Sequence, residues 1–521
     1  MRKHENSFHM PLLFIAVILS LLACGAVSSA AAAEGEKIVS SKDSMVVVMP
    51  SEPNSLDPHD NVAQNKHQTT RQIYETLVAY NEKGELVPWL AESWEYENDV
   101  TLVLHIRRGV YFHNGDELKA RDVMFTLKRI RDDKTVAAMQ VNRVDFGKSS
   151  VVDDYTMKLV TTAPYALQLP MLENPLCGII SERAFKESGG KFFAAPIGTG
   201  PYQVVKFNIG DSVILKAFDK YWIKGQPYVK NVTIRYIKEA ASRAIEAESG
   251  GADIVYEISA NDIERVRANP NIKLVSAMGA NTSYLYMNQA VKPFDDVRVR
   301  EAIWKAVDIK SAIKVAYGSF GKLADGVISP GIDGRHPDMS AFFPKQDIER
   351  AKALLAEAGY PNGFTTSISC NSSDQQRKDF CEVIQAQLAK VGIKVEIVVM
   401  DGTVWASSLA AGKGVMTIYG LTASTGEAGR VLFRWLPDTS EWPLTSWKNP
   451  EYYDLINKAL GTVKHEERNR LYYKCQEMLM TNFVVLPVWH KELNAACQPN
   501  VMGFRIMPSY EHHLLQYVYF K

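Results

Sequence analysis

The segment Thr365-Thr366-Ser367-Ile368-Ser369-Cys370 has the length and character of a strand. Residues 374–390 follow with helical spacing and stop at Gly392. A second apolar run, residues 393–400, brings the chain back as another strand. Strand, crossover helix and strand make a right-handed βαβ unit whose strands lie parallel in one sheet. Residues 347–359 precede it as a helix with an acidic N-cap at Asp347 and a glycine stop at Gly359. The apolar run 415–419 adds a third buried strand, so the chain from about residue 281 reads as α/β with a partly parallel sheet.

That third strand runs into Tyr419-Gly420-Leu421-Thr422-Ala423-Ser424-Thr425-Gly426-Glu427-Ala428-Gly429-Arg430. Glycine lets a backbone approach a ligand closely, and the Ser424 and Thr425 hydroxyls donate or accept hydrogen bonds. Strand ends carrying such groups bind small molecules in open α/β sheets. The same residues also read as an ordinary loop in which Glu427 and Arg430 pair with each other.

The earlier part of the chain is richer in strands. Residues 44–49 form one, ended by Pro50 and Pro53, and 94–96 with 101–107 form two more around a turn. Further strands are expected at 156–161, 202–207, 213–217, 231–237 and 253–256, with helices at 68–77, 119–129 and 240–248. Beyond the opening α/β region, helices span 450–460 and 466–480, and 484–489 is a returning apolar run. At 521 residues the chain exceeds the roughly 250–300 at which one core stops growing. The expectation is a first lobe with a β-rich subdomain over 34–276 and a second, α/β lobe over 277–494. A C-terminal segment, 495–521, would return to the first lobe. A cleft between lobes is the expected ligand position.

Lys+Arg and Asp+Glu each number 59, which gives no electrostatic footprint for nucleic acid. Basic residues at 1–4, an apolar stretch at 11–27 and small residues at 28–33 have the build of an export signal. Leu21-Leu22-Ala23-Cys24-Gly25 is similar to a lipobox, which would make Cys24, at the end of the 1–24 signal region, the lipidated first residue of the mature chain; cleavage near Ala33 is the alternative. The other five cysteines contain no CxxC pair and are expected as buried free thiols. His465-Glu466-Glu467-Arg468-Asn469 begins like a zinc-protease helix, but Asn469 stands where the second ligand is needed. No GxSxG elbow and no Walker loop occur, and Asp295-Asp296 reads as a helix cap. Neither an enzyme nor a metal or other cofactor is therefore expected, and an exported peptidase is the alternative of another class.

Several stretches together resemble the extracytoplasmic solute-binding proteins of the peptide/nickel ABC-transporter family. They are Leu90-Ala91-Glu92-Ser93-Trp94 with 104–115 and Ala120-Arg121-Asp122-Val123; Gly198-Thr199-Gly200-Pro201-Tyr202 with Tyr221-Trp222 and 232–235; Met287-Asn288 with 293–302; and 351–361. The resemblance covers essentially the whole mature chain. It implies a two-lobe periplasmic-binding-protein clamp of the large peptide-binding type, with mixed sheets and the ligand in the inter-lobe cleft. The implied partners are a small peptide and the transmembrane permease subunits of an ABC importer, with the protein a monomer on the outer side of the cytoplasmic membrane. A nickel or nickel-chelate binder of the same family, or a chemosensory adaptor, remains an alternative.

In members that resemble dipeptide binders, an Asp in the strand-end loop takes the ligand ammonium and an Arg before the long second-lobe helix takes its carboxylate. Those positions here are Ser424 and Asn371, so both charges are missing. The Ser-Thr-Gly-Glu-Ala sequence at 424–428 and Gly503-Phe504-Arg505-Ile506-Met507-Pro508 resemble the glutathione-binding branch. The resemblance thus points to a glutathione-like peptide, with Glu427 for an ammonium and Arg430 for a carboxylate. Asn371, Ser424 and Thr425 would then supply neutral hydrogen bonds.

Overall fold

The computed structural model describes residues 38–521 except 54, 61–63, 82–83, 134, 319–320, 344, 373, 437–446 and 508–514. The export signal, Cys24 and Ala33 lie outside the described residues.

One large mixed sheet runs through both halves of the chain. Its order is Lys394–Met400, Thr365–Asn371, Met416–Thr422, Lys273–Met287, Val485–Cys497, Ile254–Tyr256, Ser44–Met49, Asn231–Tyr236, Ser212–Ala217 and Tyr202–Asn208. Thr365–Asn371 is parallel to both of its neighbours, as the βαβ reading requires, and Ser44–Met49 is parallel to both of its own. Four-stranded pairing of Ala91–Asn98, Thr101–Ile106, Thr156–Val160 and Ser150–Asp153 makes a second, antiparallel sheet beside the helix Ala120–Asp132.

Four buried clusters follow from this layout, a small one around Val48, Ala244 and Val255 and three large cores. Trp304, Phe380, Trp435, Tyr452 and Tyr472 anchor one, built from the α/β part. Met45, Val47, Tyr202, Val232 and Ile254 anchor another, and the C-terminal Val518 and Phe520 pack into it. Leu104, Phe112, Leu127 and Leu159 belong to a third, under the antiparallel sheet. Asp296, Asp308, Asp347 and Asp374 each cap a helix by accepting a backbone N–H, which satisfies a donor that has no partner within the helix. All five described cysteines are buried and unbonded.

Two expectations needed correction. The apolar run read at 484–489 is one end of a much longer strand, Val485–Cys497, of 13 residues, and its partner Lys273–Met287 has 15. They pair with each other across a register shift between Met278 and Thr282. Ser276, Gly279, Asn281 and Thr282 interrupt the apolar pattern there, so the periodicity ended early. The helix expected at 68–77 is instead Gln64–Thr70, followed by turns and the strand Val78–Tyr80. Backbone competition explains this. Gly200 and Tyr202 donate to the carbonyls of Ile73 and Gln72 at 2.9 and 3.0 Å, and Ile179 donates to Glu75 at 2.9 Å. A Cβ at Gly198 or Gly200 would overlap Ile73, so glycine is needed for that close approach.

Glu75, within that segment, is buried among neutral donors. Trp89 Nε1 and the Tyr221 hydroxyl each donate to it at 2.8 Å, and Trp222 Nε1 at 3.1 Å. Burial pushes its carboxyl up to about 7, and the hydrogen bonds only partly oppose this. The folded state then keeps a proton that the unfolded chain releases at lower pH, so the stabilisation is full below about pH 4.5 and is lost as pH rises towards 7. Glu173, also pushed up to about 7 by burial, acts with the same sign. Unfolding free energy should therefore fall between about pH 4.5 and 7, by about 3 kcal/mol through Glu75 alone. Denaturant melts across that range should show a shallower fall for Glu75→Gln.

Candidate functional site

The loop after Met416–Thr422 is clipped in place by contacts along the backbone. Asp333 donates its N–H to the Gly426 carbonyl at 3.0 Å, and Ala428 donates to the Asp333 carbonyl at 2.8 Å. The Tyr80 hydroxyl donates to the Thr425 carbonyl from the other side. Gly426 has φ 65°, and a Cβ there would strike the Tyr80 ring, so both the turn and the contact require glycine.

Glu427 is 2% exposed, and its Oε1 accepts from Arg468 Nε at 2.5 Å. Arg468 also donates to the carbonyls of Thr462 and Val463 at 3.2 and 2.9 Å. Burial holds the Glu427 carboxyl above the ordinary range, against the pull of Arg468. Glu427 lines a cavity of about 550 Å³ with Tyr80, Tyr96, Asp333 and His465. Arg430 is half-buried and reaches the Met139 sulfur at 2.7 Å, beside a small cavity bordered by Asn142 and Tyr165. Thr425 is fully buried and Ser424 half-buried on the loop itself.

Asn371 lies elsewhere, at the end of its strand. It lines a cavity of about 520 Å³ with Asn281, Ser283, Arg377, Trp405, Tyr419 and Glu492. An adjoining cavity of about 400 Å³ adds Gln68, Arg243, Tyr256 and Glu257 from the other half of the chain. Tyr317, Gln376, Lys491 and Glu492 border both, so the two spaces form one cleft across the long strands. Each part falls within the roughly 300–1,000 Å³ typical of small-molecule clefts. The sequence-based candidates are thus distributed: Asn371 in this cleft, Glu427 and Arg430 beside two other cavities, Ser424 and Thr425 on the connecting loop.

Sequence reasoning did not single out Arg377, Tyr419 or Glu492. Arg377 is in the first turn of the helix Gln375–Ala389, where an Arg reads as surface charge. The adjacent Lys491 and Glu492 in an otherwise apolar strand were the available signal. Arg243 is spent on structure: it donates to the carbonyls of Ile237, Lys238, Tyr256 and Glu257. His490 is held by Thr282 Oγ1 and Asp325 Oδ1, each at 3.0 Å. Among the described residues no group of three or more His, Cys, Asp or Glu is arranged to hold a metal ion. No helix among them is long and apolar enough to cross a membrane.

Two cored halves with a ligand-sized cleft over the strands that join them define a solute-binding clamp. The profile of the bacterial extracellular solute-binding proteins, family 5, matches residues 85–442, and the chain belongs to that family. It is 30% identical over 476 residues to the glutathione-binding proteins GsiB of Shigella flexneri serotype 5b and Escherichia coli K12, covering 89% of this chain and 92% of each relative. Among solved structures, the periplasmic binding protein DppA of Helicobacter pylori in complex with the peptide STSA matches with TM-score 0.77 and 25% identity over 92% of this chain and 98% of that one. HbpA2 from Haemophilus parasuis matches with TM-score 0.81 and 25% identity, covering 92% and 100%. These matches establish the two-lobe periplasmic-binding architecture.

The loop clip carries a stability prediction. Arg468→Met leaves the Glu427 carboxylate buried without its cation and should lower the unfolding free energy by about 3–5 kcal/mol. Adding Glu427→Gln to Arg468→Met should recover part of that loss in the same denaturant titration.

Proposed function

We propose that this chain is the substrate-binding subunit of an ABC importer, capturing a small peptide of the glutathione type and delivering it to the permease. The observation that carries the reading is the inter-lobe cleft, whose size and mixed lining of amides, aromatic rings and opposite charges suit a short peptide. Kinship with proteins named for glutathione binding supports the same ligand class. Binding without chemistry is the activity in this reading.

In this reading the lobes divide at 276/277 and 494/495, where Ser276 pairs directly with Asn494, and they close by bending the two long strands near that point. The segment 495–521 belongs with the first lobe. The N-terminal residues direct export, and Cys24 carries a lipid anchor that keeps a monomer at the outer face of the membrane. Asn371 contributes a neutral amide to the ligand, and Ser424 and Thr425, on the loop that follows Met416–Thr422, offer hydroxyl and backbone groups to it on closure. Arg430, beside the small cavity bordered by Asn142 and Tyr165, offers a cation for a ligand carboxylate. Glu427, engaged by Arg468, fixes the loop instead of meeting the ligand ammonium.

Thermal melts of the purified chain with glutathione, dipeptides and tripeptides test this directly. A ligand at about 100 times its Kd stabilises the folded state by about 2.7 kcal/mol, so at least one peptide should raise the melting temperature by several degrees. Unchanged melts across the whole panel would overturn the assignment.

A further inference from the structure

We infer that the cleft reads both charges of a zwitterionic peptide, with Arg377 taking a carboxylate and Glu492 the ammonium. This rests on the peptide-capture reading above and specifies the chemistry of that same cleft.

Arg377 is the first element of the argument. Its side chain is only 16% exposed, and its guanidinium carbon sits 5.3 Å from the centre of the Trp405 ring. Asp374 approaches it at 3.4 Å, while its Nε is buried and has no hydrogen-bond partner among the described residues. Guanidinium donors suit a carboxylate in bidentate geometry, and the aromatic face holds the plane of the fork in place. The position matters too. Arg377 stands in the first turn of the helix Gln375–Ala389, where the backbone dipole favours a negative partner and disfavours a bare cation. Asp374 already caps that helix end, so a bound carboxylate would meet the side chain at its open Nε edge.

Glu492 is the second element. It lies on Val485–Cys497, half-buried, and borders both parts of the cleft. No hydrogen bond or ion pair to it occurs among the described residues, in contrast to Glu427 with Arg468 and Asp325 with Arg335. Closure over a ligand removes water from this carboxylate, and an unpaired buried charge is costly, so the ligand must bring a cation. A peptide ammonium does so without any protein partner.

The two groups also resolve an oddity of the sequence. Asn371 and Ser424 are neutral where related dipeptide binders are expected to carry opposite charges. The same two charges occur in this cleft at other positions, one on the helix after Asn371 and one on the strand that forms its floor. Lys491, exposed at the same border, adds a further positive charge at the mouth.

Calorimetric titration of the full chain tests the assignment with glutathione and dialanine, each in free, N-acetylated and carboxyl-amidated form. The wild type should lose about tenfold or more in affinity when either charge is blocked. Arg377→Met should bind the free peptide about tenfold or more weakly and no longer distinguish it from the amide, whereas Arg377→Lys should retain part of that discrimination. Glu492→Gln should no longer distinguish the free from the N-acetylated form. Unfolding midpoints within a few degrees of wild type confirm that each variant is folded. Variants that bind the free peptides like wild type, or weaken for all three forms alike, would overturn the assignment of these charges while leaving peptide capture standing. Should the wild type bind neither peptide in any form, this assignment falls, and unchanged melts across the wider peptide panel would take peptide capture with it.

Discussion

Two long antiparallel strands, Lys273–Met287 and Val485–Cys497, carry the backbone from one core to the other, and the rest of the molecule depends on their register. Side chains alternate between faces along a strand, so a slip of one residue would exchange every inward and outward group. Leu493 is buried in the core around Met45, Val47 and Ile254, while its neighbour Glu492 borders the cleft. A slip would put a carboxylate into the core and a leucine into the cleft. The shift between Met278 and Thr282 sits at this place, where Gly279 lets the backbone pass close to the Lys491 carbonyl. Of the polar residues that blurred the strand in the sequence, Asn281 lines the cleft and Thr282 is buried against His490.

This explains what could and could not be read from the sequence. The βαβ unit at 365–400 was legible because each element is long, regularly patterned and punctuated by Asp caps and glycine stops. Aspartates 296, 347 and 374 cap their helices through purely local contacts, which local sequence encodes. The segment 68–77 was misread because its carbonyls are claimed by Gly200, Tyr202 and Ile179, more than a hundred residues away. Nothing near residue 73 announces that competition.

The site shows the same division. The loop at 422–430 was recognisable by composition, but the partner of Glu427 was not, because Arg468 lies on a different helix and meets it only in the folded chain. Arg377 was overlooked for a related reason. Its burial depends on Trp405, which arrives from the helix Gly402–Ala410 beyond the next strand. Local sequence marks where a loop turns, and tertiary packing decides which charges on it remain available.

The buried cysteines have a consequence for reactivity. Thiol exchange requires an accessible thiolate, and burial above all pushes Cys381, Cys475 and Cys497 up to about 12 and raises Cys177 and Cys370 as well. Cys370 immediately precedes the cleft residue Asn371, yet its sulfur belongs to the second-lobe core. A mercapto-bearing guest held in the cleft meets no accessible thiolate among the described residues, so none of these five cysteines captures it as a mixed disulfide.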